Sequence, residues 1–144
     1  GNIHFLDEST YQHNNVLIVG STLWCHPILK KSKPIYLEHI QEYQRQLHWL
    51  TSTIKKNPDK KIIVLTHFVP TSQLIEPRYK KFGDYATSWF ANDLEYLMKP
   101  FVVAWLCGHS HSIIDVNVNG VYCGLNAIGP NPKENSPKYI EIIE

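Results

Sequence analysis

Residues 101–111 read FVVAWLCGHSH, an apolar run that passes through one glycine into two histidines. A second run, KIIVLTH at residues 61–67, has the same form and also ends in a histidine. Such runs are typical of strands that are buried on both faces of a sheet. The carboxyl ends of parallel strands meet at one edge of an α/β sheet, where ligands commonly bind. The two runs therefore predict a site that brings His67 close to His109 and His111.

The rest of the chain alternates between strand and helix patterns around these two runs. Strands are predicted at 2–6, 15–24, 113–118, 121–125 and 138–143, helices at 34–56 and 87–98, and a long surface loop at 68–85. Asn119–Gly120 is a strong hairpin signal between two apolar runs. The order predicts an α/β fold with a partly parallel mixed β-sheet flanked by helices. No linker interrupts the pattern, so residues 1–144 are expected to form one domain.

Composition narrows the classes of function. Lys and Arg number 14 against 13 Asp and Glu, a near-neutral balance that argues against nucleic acid as the main partner. The apolar runs are short, so we expect no membrane-spanning segment. The three cysteines are an odd number and lie far apart in the sequence. That pattern favours reduced thiols and a cytoplasmic location.

The histidines at the two strand ends suit a metal ion. If residues 109–111 stay extended, His109 and His111 point the same way and Ser110 points elsewhere. Gly108 is expected to let the backbone turn sharply. Three neutral imidazoles at one edge are a natural start for a divalent metal site. His26, which also follows a strand end, is a further candidate near this edge.

Several short motifs resemble the carboxy-terminal half of a calcineurin-like metallophosphoesterase. They are GSTLW (20–24), VLTHFVP (64–70), WLCGHSH (105–111) and the loop CGLNAIGP (123–130). The resemblance covers nearly the whole chain and implies half of a four-layer αββα sandwich. It also implies a two-metal centre of Mn, Fe or Zn that hydrolyses phosphomonoesters or phosphodiesters, so a phosphate ester would be the substrate.

The resemblance assigns roles to single residues. His67 and His109 would bind one divalent ion, and His111 would bind the other. The substrate-binding candidates are Asn126, Gly129 and His26. The sequence departs from the family where Phe68 replaces a second histidine, which is expected to alter the pocket wall. The stretch NAIGP also lacks the proline and arginine often seen in the corresponding family loop.

The acidic half of such a centre is absent from the sequence. The family's Asp-x-His pair, Gly-Asp-x-x-Asp segment and Gly-Asn-His triplet do not occur, and GNIH at residues 1–4 is not the triplet. Three histidines are half of a dinuclear site, since catalytic zinc typically has about three protein ligands and paired cations share a bridging carboxylate. No catalytic residue is identified in the chain. We expect an amino-terminal segment of a longer polypeptide, or a second chain, to supply the aspartates.

Two other functions stay open on the sequence. The chain could be a catalytically inactive phosphoesterase-like scaffold or protein-binding module. A structural zinc site could instead combine Cys107, His109 and His111 with Cys25 or His26. If the chain is an enzyme, Tyr79, Lys80 and Phe82 in the long loop are candidates for shaping a substrate pocket.

Overall fold

The computed structural model of the chain describes residues 3–29, 34–127 and 141. Six strands lie in these ranges: β1 (Ser9–His13), β2 (Val16–Ser21), β3 (Lys61–Thr66), β4 (Val102–Cys107), β5 (Ile113–Val118) and β6 (Val121–Asn126). The α-helices are α1 (Pro34–Lys55), α2 (Pro77–Lys80) and α3 (Gly83–Thr87), and two 3₁₀ helices span Ser72–Leu74 and Glu95–Leu97. Among the described helices, none combines the length and the apolar character needed to cross a membrane.

The strands form one mixed sheet in the order β1-β2-β3-β4-β6-β5. β2, β3, β4 and β6 run parallel, and β1 and β5 add antiparallel pairs at the two edges. The predicted partly parallel α/β sheet is therefore confirmed. The predicted hairpin is also confirmed, with Asn119 and Gly120 both at positive φ (53° and 85°), as a tight hairpin turn requires.

Helix α1 packs on the sheet through the second half of its length. Pro34 stands at its first position, where the missing N–H costs nothing, and Lys55 lies in its last turn, where a cation suits the helix dipole. The helix of 22 residues is about 33 Å long, whereas a six-residue strand spans about 20 Å. The first turns therefore extend past the sheet, and Leu37 is half-exposed.

One face of the sheet holds the core and the other is only partly covered. Val19, Val64 and Trp105 lie in register on neighbouring strands, are fully buried, and pack in one cluster with the inner side of α1. On the opposite face, Ile63 and Leu65 of the central strand β3 stay partly exposed. The expectation that residues 61–67 are buried on both faces is therefore wrong, because α1 packs on one face alone.

The predicted strand at residues 2–6 is also wrong for the residues described. Residues 3–8 form no strand, and β1 starts only at Ser9. Both edges of β2 are already paired with β1 and β3, so Leu6 does not add a strand there and packs against Gly20 instead. A Cβ at Gly20 would stand 2.4 Å from the Cβ of Leu6, so only glycine allows this path.

The predicted helix at 87–98 is wrong: α3 ends at Thr87, residues 88–94 form no helix, and a short 3₁₀ helix follows at Glu95–Leu97. Asn92 N–H donates to the Val69 carbonyl at 2.8 Å, and Leu94 N–H donates to the Pro70 carbonyl at 3.0 Å. These contacts with a distant segment take the backbone hydrogen bonds that a helix would use, so the apolar spacing misled the prediction. The predicted loop at 68–85 contains the short helices named above. The predicted tail strand at 138–143 lies outside the described residues, apart from Glu141.

A buried hydrogen-bond chain links the core to the loop that follows β3. Trp105 Nε1 donates to Thr66 Oγ1 at 3.0 Å, and Thr66 Oγ1 donates to the Phe68 carbonyl at 2.8 Å. Replacing Thr66 by valine keeps the shape of the side chain but leaves the indole N–H and the carbonyl without these partners. We expect Thr66→Val to lower the free energy of unfolding by about 1–3 kcal/mol in urea denaturation. The same change at exposed Thr10 of β1 is the control, and equal effects at both positions would contradict the account.

Candidate metal site

Backbone hydrogen bonds hold the ends of β3 and β4 side by side. His67 directly follows β3, and its N–H donates to the Thr22 carbonyl at 3.1 Å. The N–H of Gly108, which follows β4, donates to the His67 carbonyl at 3.1 Å. The predicted meeting of these two strand ends is therefore confirmed by the backbone alone.

The His67 and His109 rings are in direct contact. Nδ1 of His109 lies 3.0 Å from Nε2 of His67, with the ring planes at 78°. Two neutral imidazoles at this distance either share one proton or direct both lone pairs at one cation. Zinc binds imidazole nitrogen at about 2.0–2.1 Å, which places two ligands of a tetrahedral ion about 3.3 Å apart. The observed contact has the geometry of a hydrogen bond between the rings, and its length is within a few tenths of an ångström of that ligand spacing.

The surroundings favour the neutral form of both rings. The pKa of His67 lies below its ordinary value, first because burial penalises the charged ring and second because a charge on His111 would repel it. Burial also lowers the pKa of His109, and charges on His67 and His111 lower it further. A neutral imidazole keeps the lone pair that a metal ion requires.

The turn after β4 is strained at the histidines and not at the glycine. His109 has a φ of 70° and His111 a φ of 45°, and Ser110 N–H donates back to the Gly108 carbonyl at 2.9 Å. This is a tight three-residue turn centred on His109, a conformation that is rare and strained for a residue with a Cβ. A Cβ at Gly108 would stand 3.7 Å from the His67 ring, which is ordinary contact. The expectations of an extended segment and of a turn at Gly108 are both wrong, because the chain reverses one residue later.

His111 is separated from the pair by this turn. Its side chain is exposed and lines a small cavity together with His109 and Ser110. In the described ranges, no group of three or more His, Cys, Asp or Glu side chains converges to hold a metal ion. Two imidazoles in contact are fewer than the three or so protein groups that commonly hold a catalytic zinc ion.

The other predicted site residues lie in different places. His26 lines a separate cleft of about 360 Å³ with Tyr43 and Asp93, and its ring packs edge-on against Tyr43 at 5.7 Å. The cavity beside His109 does not include His26. Asn126 is the last residue of β6 and pairs with Ile113, the first residue of β5. It therefore lies beside the segment that follows His111. Gly129 lies outside the described residues.

The cysteine alternative finds no support in the described geometry. The Cys25 thiol donates to the Trp89 carbonyl at 3.0 Å, and the Cys107 thiol faces the Gly124 carbonyl at 3.7 Å. Burial raises the pKa of both thiols to about 12, which keeps them protonated. Both thiols thus face backbone carbonyls, and the hydrogen bonds described for them do not lead to His109, His111 or His26.

The sequence predicted the role of one residue near the site only in part and did not indicate another. Phe68, which is expected to alter the pocket wall, is buried and stacks on the His109 ring with centroids 4.3 Å apart. The Phe68 ring therefore packs against one face of the His109 imidazole. Asp7 lines a cleft of about 340 Å³ that His67 also borders, and it is the one acidic residue among the described residues there. Because Phe68 directly follows His67, the sequence could indicate that it lies near the site, whereas no sequence motif marks Asp7.

Comparison with known proteins gives one distant relative. The chain matches no protein-family model. An uncharacterized protein of Acanthamoeba polyphaga mimivirus is 26% identical over an alignment of 166 positions, gaps included, which covers 94% of this chain and 58% of that protein. The chain thus spans less than two thirds of the length of this relative.

The lowered pKa values of the two histidines predict a pH-dependent stability. When the folded pKa lies below the unfolded value of about 6.5, the unfolded chain takes up protons first as the pH falls. Stability should therefore be constant above the unfolded value and decrease as the pH falls through it. We expect the midpoint of urea unfolding to fall between pH 8 and pH 5, and to fall less in the double variant His67→Gln/His109→Gln. The control is His48→Gln, an exposed position on α1. An equal fall in the double variant would contradict the assignment.

Proposed function

We propose that this chain is the histidine-bearing, carboxy-terminal half of a calcineurin-like metallophosphoesterase domain. In this proposal His67 and His109 bind one divalent ion, Mn, Fe or Zn, and His111 contributes to the second. A pair of such ions, when bound, holds the phosphoryl oxygens of a phosphate ester and activates a water for attack.

The contact between His67 and His109 is the observation that carries the proposal. The two residues are 42 positions apart in the sequence, yet their ring nitrogens lie 3.0 Å apart at the ends of adjacent parallel strands. This edge is where ligands bind in open α/β sheets. Positive φ at both His109 and His111 adds support, because backbone strain of this kind is concentrated at functional sites.

Backbone hydrogen bonds and one ring contact hold the two proposed ligands in place. The carbonyls of Thr22 and His67 fix the backbone after β3 and β4, and Phe68 fixes the plane of the His109 ring. Ligands held in this way lose little freedom on metal binding, so more of the binding energy is available for the ion. The partial burial of both rings disfavours a competing proton.

The partly covered face of the sheet supports the idea of a missing half. Ile18 and Ile63 are paired in register on β2 and β3, and Leu65 and Leu106 on β3 and β4; all four stay partly exposed. Parallel sheets are normally covered on both faces. A segment that packed on this face could also supply the aspartate ligands at its edge. The greater length of the mimivirus relative is consistent with such a segment.

Metal titration tests the proposal on this chain by itself. After removal of metal with a chelator, we expect calorimetry with Zn²⁺ or Mn²⁺ to give one tight ion per chain. His67→Gln and His109→Gln should each weaken binding by about 100-fold or more, since even the outer partners of metal ligands contribute 10–100-fold. His48→Gln should bind as the wild type does, because His48 is exposed on α1.

A cysteine-blocking reagent separates this site from a structural zinc site. N-ethylmaleimide should leave the bound ion in place, because the two histidines and not the thiols hold it. Release of the ion by the reagent, or unchanged affinity in both histidine variants, would contradict the proposal. Hydrolysis of a phosphate ester is expected only when a segment with the aspartate ligands is also present.

A further inference from the structure

A small cavity opens directly beside the candidate metal ligands. It has a volume of about 190 Å³ and is lined by Tyr79, Phe90, His109, Ser110 and His111. The two histidines belong to the proposed metal site, whereas the proposed function gives no role to Tyr79 or Phe90. These two aromatic residues therefore need a separate explanation.

The aromatic rings form a connected wall. The Phe90 ring lies 6.3 Å from the His109 ring at an angle of 37°, and 6.1 Å from the Tyr79 ring at 69°. Both angles and distances belong to the range of favourable aromatic contacts. The Arg78 guanidinium stands over the Tyr79 ring at 4.8 Å and forms an ion pair with Glu76. Tyr79 is thus held by Phe90, which lines the cavity, and by Arg78, which does not.

The volume of the cavity is enough for one ring. An engineered protein cavity of about 150 Å³ is known to bind benzene, so about 190 Å³ holds a single six-membered ring with a small substituent. The cavity is open to solvent, so the residues that line it, more than its volume, determine what binds. Flat π-faces on Tyr79 and Phe90 attract another planar ring more than an aliphatic chain of equal size. Because His109 and His111 border the same cavity, a ring in it lies next to the proposed metal site.

We propose, resting on the proposed function, that this cavity holds the leaving group of an aryl phosphate ester whose ring is attached directly to the ester oxygen. Hydrolysis of such an ester forms a bond from the water oxygen to phosphorus and breaks the bond from phosphorus to the aryl oxygen. The aryl oxygen leaves with the electron pair and takes one proton from the water, which gives a phenol and hydrogen phosphate. Phenols have a pKa of about 10, so a phenolate leaves more readily than an alkoxide.

Ring probes without phosphate test the cavity independently of any metal. We expect phenol to shift the imidazole NMR signals of His109 and His111 in a saturable way, and to bind about tenfold more tightly than cyclohexanol. Tyr79→Ala and Phe90→Leu should remove this preference, the second with little change in volume. Tyr85→Ala is the matched control, because Tyr85 lies on α3 and does not line the cavity. Equal affinity for phenol and cyclohexanol, or loss of the preference in Tyr85→Ala alone, would overturn the inference.

Phosphate esters test the assignment of the leaving group. With the zinc-loaded chain, phenyl phosphate should bind about tenfold more tightly than methyl phosphate and than adenosine monophosphate, in which a sugar separates the ring from the phosphate. Tighter binding of adenosine monophosphate, or equal binding of phenyl and methyl phosphate, would contradict the direct attachment. A chain that binds no zinc would refute the proposed function, while the comparison of phenol with cyclohexanol would still decide whether the ring site exists.

Discussion

The parallel register of β3 and β4 is the constraint on which the candidate site depends. Leu65 pairs with Leu106, and one further hydrogen bond, from Gly108 N–H to the His67 carbonyl, extends the alignment beyond both strands. This ladder is made of backbone groups, so it positions the histidines whether or not a metal ion is bound. The sheet and the stacked Phe68 ring together hold His109 in its strained backbone conformation.

In the proposed function, the ligand set and the sheet lack the same partner. The histidine pair would provide two ligands where a catalytic ion commonly has about three. The central strand β3 has one buried and one partly exposed face, whereas parallel sheets are commonly covered on both faces. A single additional layer with acidic side chains at its edge would complete the ligand set and cover the exposed face.

The sequence predicted the parts of the fold that depend on local pattern. Apolar runs located β2, β3 and β4, Pro34 marked the start of α1, and the Asn119–Gly120 turn defined the hairpin. It could not predict the path of residues 91–94, because hydrogen bonds from a distant segment decide it, nor the crossing of Leu6 over Gly20. The meeting of His67 and His109 followed from strand polarity. The positive φ at His109 and the separate location of His26 depend on tertiary packing that spacing does not encode.

The central claim is that His67 and His109 form one metal-binding unit. Anomalous diffraction from crystals of the chain grown with zinc tests this claim most directly, because it locates the ion and its ligands together. The account predicts one peak within about 2.0–2.1 Å of a ring nitrogen of each histidine. A zinc ion bound at the cysteines, or no ion at all while the two rings keep their 3.0 Å contact, would contradict the account.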